Sequence, residues 1–320
     1  MNEPRPLSRG NGRPPGTTSW HGSVSEAGTT MRSYYGRPII KEPVWKPEIP
    51  FYFFTGGLAG VSSVLSLAAR AAGNEQLAKT SLFAGAIADA ASPALLISDL
   101  GRPERFLNML RVFKATSPMS VGSWVLAASG AASGTAAALE VLQVLKPVRL
   151  AAEIAAALLG PALATYTATL VSNTAVPVWH EARHELPFVF AGSAAASAGA
   201  MPALVLGPRE SRPARRLAIG GVIAELVAMQ VMERRLGFLG EPYRRGAAGV
   251  LTRVAKALTA GGAAVLAWWG SRSRAGARAG AALLLAGEVL VRWGVFRAGF
   301  QSAQDPRYTI VPQRERATTR

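Results

Sequence analysis

The sequence predicts an all-α integral membrane protein with about eight transmembrane helices. Two observations carry the membrane assignment. The first is a set of long uncharged stretches: residues 51–69, 121–139, 154–179 and 186–206 contain no Asp, Glu, Lys or Arg. A helix needs about 20 mostly apolar residues to cross the hydrocarbon core, whereas a soluble domain keeps a charged face on its helices. The overall hydrophobic fraction of 49% would suit a soluble chain, so the distribution decides. The second observation is where the charge falls. The net charge of +16 sits in tails and in short loops between the stretches. That pattern fits membrane surfaces and not the basic groove of a nucleic-acid binder.

The expected spans are 51–69, 80–98, 121–142, 154–172, 186–206, 217–232, 251–270 and 279–295. Arg253 and Lys256 crowd the start of the seventh, and Glu288 and Arg292 interrupt the eighth. Before them, residues 1–33 are rich in Pro, Gly, Ser, Thr and Arg and are expected to form a disordered tail. No signal-peptide core occurs there, and Met31 is a second candidate start. Residues 34–300 form the expected transmembrane domain, and 301–320 a polar C-terminal tail. Residues 34–50 are expected to run along the membrane surface, with Trp45 and Tyr52 at interfacial depth.

Small residues fill the spans. Gly56, Gly57 and Gly60 cluster in the first, and Gly130 with Gly134 gives a small-xxx-small spacing in the third. Such residues let helix backbones approach closely. Pro93, Pro161 and Pro202 each remove a backbone hydrogen bond inside a span and are expected to kink it. Eight spans put both termini on one side. The basic residues on that side favour a multi-pass protein of the cell membrane with cytoplasmic termini.

The chain has no cysteine and only three histidines, His21, His180 and His184, all outside the expected spans. This excludes disulfides, thiolate zinc sites and the usual ligands of an iron–sulfur cluster. It also argues against a haem between intramembrane histidines. Electrons passing through such a chain need a carrier that diffuses or that a partner holds. His180-Glu181-Ala182-Arg183-His184 satisfies the H-E-x-x-H pattern of zinc proteases. Pro177 and Pro187 leave little room for one continuous helix, and a third ligand would have to be acidic. A zinc membrane protease is therefore a minor reading, and no metal site is expected.

Asp89, Glu225 and Glu288 fall near the middles of spans two, six and eight. An ionised carboxylate at mid-bilayer is costly unless paired or hydrated. A proton path is one reading of all three; Glu288 has Arg292 one turn later, a spacing suited to an internal ion pair. These carboxylates also support an alternative function, a transporter or proton-translocating module.

The run Ser98-Asp99-Leu100-Gly101-Arg102-Pro103-Glu104-Arg105-Phe106 closes the second span. Gly101 permits a turn, and Pro103 can begin a short helix over 104–113. Asp99 is expected to pair with Arg102 or Arg105. The loop then serves either as a structural clamp or as a docking surface.

The stretches Asp99-Leu100-Gly101-Arg102-Pro103-Glu104-Arg105-Phe106-Leu107-Asn108-Met109-Leu110, Tyr34-Tyr35-Gly36-Arg37-Pro38 with Phe53-Phe54-Thr55-Gly56-Gly57, Ser117-Pro118-Met119-Ser120-Val121-Gly122-Ser123-Trp124, and Tyr166-Thr167 followed by Val176-Pro177-Val178-Trp179 resemble the NrfD/PsrC family. These are the membrane subunits of polysulfide-reductase-like complexes. The resemblance implies two four-helix bundles and electron exchange with a quinone pool, menaquinone or ubiquinone. It implies a docked ferredoxin-like iron–sulfur subunit and, through it, a catalytic subunit of molybdopterin type. The chain itself would hold no haem, cluster or zinc and would not be catalytic alone. In the family a tyrosine of the Tyr-Thr pair is associated with the quinone headgroup, which carries over to Tyr166. Position adds Asn173, Trp179 and His180 as candidate donors near one membrane face, although Trp179 also suits an interfacial aromatic belt.

Overall fold

A computed structural model of the chain describes residues 39–102 and 104–318. The expected N-terminal tail, the 34–38 stretch and Pro103 lie outside the described residues. Among the described residues every regular element is helical. In chain order these are α1 (Glu48–Ala71), α2 (Glu75–Asp99), α3 (Glu104–Arg111), α4 (Pro118–Leu142), α5 (Lys146–Ser172), α6 (Pro177–Glu181), α7 (Leu186–Ala200), α8 (Arg212–Leu236), α9 (Gly246–Trp268), α10 (Arg274–Gln304) and α11 (Arg307–Thr318).

Sequential long helices pair as antiparallel hairpins: α1 with α2, α4 with α5, α7 with α8, and α9 with α10. The first two hairpins form one four-helix bundle and the last two a second, with α1, α5, α7 and α10 meeting between them. Seven of the eight long helices are apolar enough to cross a membrane, α7 together with the 3₁₀ turn Met201–Leu204. The remaining one, α8, is long enough at 25 residues but carries Arg215, Arg216, Glu225 and Glu233 along its length. It keeps Arg215, Glu225 and Glu233 buried against protein, which is how membrane helices tolerate charge. The chain is a multi-pass membrane protein. We call the side holding the start of α1 and the end of α2 the near face, and the opposite side the far face.

Several expectations change in detail. The eighth span grows to 31 residues, about 46 Å at 1.5 Å per residue, so it projects beyond the hydrocarbon. The expected polar C-terminal tail becomes the end of α10 followed by α11. Tyr308 there stacks on Phe238 with ring centroids 5.2 Å apart and donates to Glu241 at 3.2 Å. Helices α2 and α5 run through Pro93 and Pro161, whereas at Pro202 the α-helix gives way to the 3₁₀ turn. Gly130 and Gly134 do not pack against a helix: a Cβ at either meets nothing within 4 Å. The close approach occurs instead where Gly60 of α1 faces Gly160 of α5, backbone to backbone, and where Gly57 lies against Ala194 of α7.

Candidate functional site

The near face of the first bundle encloses a cavity of 230 Å³. Its floor and walls are apolar, from Val44, Trp45, Ile49, Phe53, Leu96 and Leu170. Its polar groups are few: Tyr52, Asp99, Arg105, Ser123 and Tyr166. A slot of this kind suits an apolar ring with a small number of polar attachment points.

Local sequence explains how each wall is set. Ser117 caps α4, accepting from the Ser120 amide, and Pro118 occupies the first turn, where its missing N–H costs nothing. That start brings Gly122 under the ring of Tyr166, where any Cβ would overlap the ring. The Ser-Pro-Met-Ser-Val-Gly-Ser-Trp stretch therefore seats Tyr166 by leaving room for it. Tyr166 meets Tyr52 edge-on at 6.4 Å. Tyr52 is 1% exposed and its hydroxyl has no hydrogen-bond partner. It lies one turn from Thr55, whose hydroxyl shares a 2.7 Å hydrogen bond with Ser92 of α2.

The loop after α2 forms the rim. Gly101 adopts φ +68°, the left-handed turn that its lack of a side chain permits. The short helix α3 follows, ending at Arg111 rather than at 113. Asp99 forms no ion pair with Arg102 or Arg105 among the described residues. It accepts the Lys46 backbone N–H at 2.7 Å, while the Lys46 ammonium donates to the Ser98 carbonyl at 3.0 Å. The geometry supports the clamp reading of Asp99: it ties the segment before α1 to the end of α2. Arg102 and Arg105 remain exposed, and Phe106 is half-buried. We expect Asp99→Ala to expose residues 39–47 to tryptic cleavage after Lys41, at a stability cost near the ~1 kcal/mol of one hydrogen bond. Unchanged cleavage rates in limited proteolysis would remove the clamp.

The structure separates the four candidate donors. Only Tyr166 lines the cavity. Trp179 is fully buried, its indole N–H donating to the Val295 carbonyl at 2.8 Å and its ring resting on Gly299. Its one donor is thus spent, and it is not part of a lipid-facing belt. Its contribution is indirect, as the surface on which Trp45 stacks at 5.5 Å. Asn173 and His180 are exposed, and His180 borders a separate surface cleft with Thr174, Pro177 and Tyr308. Trp45 and Tyr52, read from sequence as interfacial, instead face the cavity. The signal for Tyr52 was its place one residue before the recognisable Phe53-Phe54-Thr55-Gly56-Gly57 stretch.

The carboxylates divide between bundles. Asp89 is buried and accepts from Ser129 at 2.9 Å and Ser133 at 2.8 Å, both through Oδ2. It also lies within Coulombic range of Tyr52. Glu225 and Glu288 face one another in the second bundle beside Ser193 and Arg292. All are buried, and no oxygen of either glutamate meets hydrogen-bonding geometry with a partner. The expected Glu288–Arg292 ion pair does not form. Arg292 turns to the Phe190 carbonyl, donating at 3.0 Å, with its guanidinium 3.8 Å from the Phe190 ring centroid. Helix α6 ends at Glu181, so His180 and His184 do not share a helix as metalloprotease chemistry requires. Among the described residues no three His, Cys, Asp or Glu side chains come together as a metal site.

No curated protein matches the chain. A family profile described as polysulphide reductase, NrfD, matches residues 40–272, which covers α1 to α9 and the whole cavity. With that match over most of its length, and with the two helical bundles around the cavity, the chain belongs to the NrfD polysulphide reductase family.

Proposed function

We propose that the near-face cavity is the quinone site of a membrane-anchor subunit that exchanges electrons with a docked iron–sulfur protein. Members of the NrfD family are membrane subunits of quinone oxidoreductase complexes and are not catalytic alone. The observation that carries the reading is the pairing of Tyr52 and Tyr166 in an otherwise apolar slot. The buried, unpartnered Tyr52 hydroxyl is the kind of group that a ligand oxygen satisfies. A bound quinone supplies a two-electron, two-proton couple.

Each wall then has a task. With a quinone bound, the Tyr166 hydroxyl would donate to a carbonyl oxygen of its headgroup, and the buried Tyr52 hydroxyl would exchange a proton with the headgroup. Trp45, Ile49 and Phe53 hold the ring and exclude water. Asp89, behind Tyr52, relays the proton. The site's volume suits a headgroup, leaving the tail of menaquinone or ubiquinone in lipid. Asn173 and His180 face the near-side surface outside the cavity. Arg102, Arg105 and Phe106 present the near-face loop to the iron–sulfur subunit, and through it to a catalytic subunit of molybdopterin type. The basic near-face loops support cytoplasmic termini in the cell membrane. Glu225 and Glu288 form a second buried polar group, separate from the cavity, that serves proton exchange in the other bundle.

Tyr166→Phe tests the reading. It removes one hydroxyl from a half-buried ring, so assembly with partners stays intact. Loss of one ligand hydrogen bond of about 1–3 kcal/mol corresponds to about a 5- to 160-fold loss. Quinol-dependent reduction of an artificial acceptor in membranes reads that loss. Wild-type quinol oxidation by the variant would take Tyr166 out of the site.

A further inference from the structure

On its lipid-facing side the second bundle carries a groove of 840 Å³ between α7 and α8. The sequence explains why it is hollow. A Cβ at Gly192 of α7 would meet the Glu225 backbone, and one at Gly221 of α8 the Ala196 backbone. The two helices therefore touch backbone to backbone, with no side chains between them to fill the valley above the contact. Ala191, Ala195 and Ala224 line that valley with small groups. Gly220 is exposed there, and a Cβ on it meets nothing within 4 Å. Phe188 of α7 and Val227 of α8, both exposed, complete the apolar lining.

The polar lining is confined to the two ends, and the ends differ in charge. His184 and Glu185 lie at the near end, where Arg235 neutralises Glu185. Arg216 stands at the far end. Arg212 is one turn earlier on the same stripe of α8, and Arg209 precedes it in the loop. All three are exposed, and none of their side chains has an ion pair or hydrogen bond among the described residues. Arg215 adds a fourth positive charge, buried and within Coulombic range of Arg212. Its guanidinium is held by the Pro208 carbonyl at 2.8 Å and by that of Gly270, not by a carboxylate. The carboxylate of the loop, Glu210, lies beside Gly207, where Arg274 also approaches.

The dimensions fit one lipid chain. From Arg216 to Val227 α8 rises roughly 16 Å, about the depth of one leaflet, half of a hydrocarbon core ~30 Å thick. A cationic end without a counter-ion, above an apolar trough one leaflet deep, is complementary to a phosphate headgroup with its acyl chain below. A second copy of the chain fits less well. A twofold axis along the membrane normal would set the arginines of one copy against those of the other, and like charges oppose that contact.

We infer that the α7–α8 groove binds an anionic phospholipid of the far-face leaflet, with Arg212 and Arg216 holding the headgroup phosphate and the trough along Gly220, Ala224 and Val227 seating one acyl chain. The inference does not rest on the quinone reading, since the groove shares no residue with the near-face cavity.

The test uses the full chain in phosphatidylcholine nanodiscs with a small fraction of phosphatidylglycerol that carries a photoreactive diazirine on one acyl chain. Peptide mapping after illumination reads the labelled positions. The inference expects adducts within residues 188–195 and 220–231, and few when phosphatidylcholine carries the diazirine instead. Arg212→Gln with Arg216→Gln should cut that labelling about 30-fold at low phosphatidylglycerol fraction, from about 5-fold for each headgroup charge. Gly220→Leu keeps every charge and projects into open space, so it should keep the fold, fill the trough and lower the labelling of the groove. Equal labelling by the two lipids would overturn the inference, because the groove would then be an ordinary lipid contact. An unlabelled groove, with α8 cross-linked to a second copy or to a partner helix, would overturn it as well. Wild-type labelling in the arginine double variant would remove the headgroup site.

Discussion

Gly60→Val is expected to remove the folded subunit from the membrane, whereas Gly130→Val should leave it unchanged. At Gly60 a new Cβ points at the carbonyl of Gly160 across the α1–α5 contact, and backbone on both sides cannot rotate aside. Overpacking by a flexible neighbour costs about 1–3 kcal/mol. Backbone against backbone must instead push two helices apart, so the loss lies at or above that range. Helix association in lipid rests on such close packing, since burial of apolar surface contributes little there. The α1–α5 contact also sets the separation of Tyr52 and Tyr166, so whatever fraction survives should be defective in quinol turnover. At Gly130 the Cβ meets nothing within 4 Å. Fluorescence-detected gel filtration of detergent extracts reads both outcomes. A monodisperse peak of wild-type height for the Gly60 variant would refute the helix contact.

This pair also marks how far the sequence could be read. Small-residue spacing identified helices that approach closely, but Gly56-Gly57-Gly60 and Gly130-xxx-Gly134 look alike until the partner helix is known. A glycine's value depends on what lies across from it, and that is a tertiary property. The spans were legible because lipid imposes one rule on every residue of a crossing helix. Helix α8 was legible only as a short core, because its buried Arg215 and Glu233, at either end of that core, look like solvent-facing charge in one dimension.

The candidate site was legible by half. Tyr166 and the turn at Gly101 were carried by local motifs. Trp179 lies buried in the core, and its donor is taken by Val295, 116 residues away. No local pattern predicts that. The Glu288–Arg292 spacing was sound helix geometry, yet Arg292 found a carbonyl and an aromatic face on α7 instead. Spacing along one helix states what two side chains can do. The neighbouring helices decide what they do.

Asp89→Asn should produce the second large effect: a loss of about 100-fold in quinol turnover, within the range for removing a proton-transferring group, with assembly intact. The substitution keeps volume and keeps an oxygen to accept from Ser129 and Ser133, so those hydroxyls stay satisfied. What it removes is a titratable group beside Tyr52. Ser129→Ala with Ser133→Ala makes the converse change, keeping the carboxyl and deleting the two donors that orient it. That double variant should lose less rate than Asp89→Asn if proton transfer is the function, and at least as much if Asp89 only tethers α2 to α4. Glu225→Gln provides the comparison from the other bundle, because it removes a buried carboxyl that has no contact with the cavity. Wild-type turnover in Asp89→Asn, together with a slowed Glu225→Gln, would move the proton route to the second bundle. The ranking of these three variants, measured as rate per assembled complex, therefore decides which bundle serves the cavity.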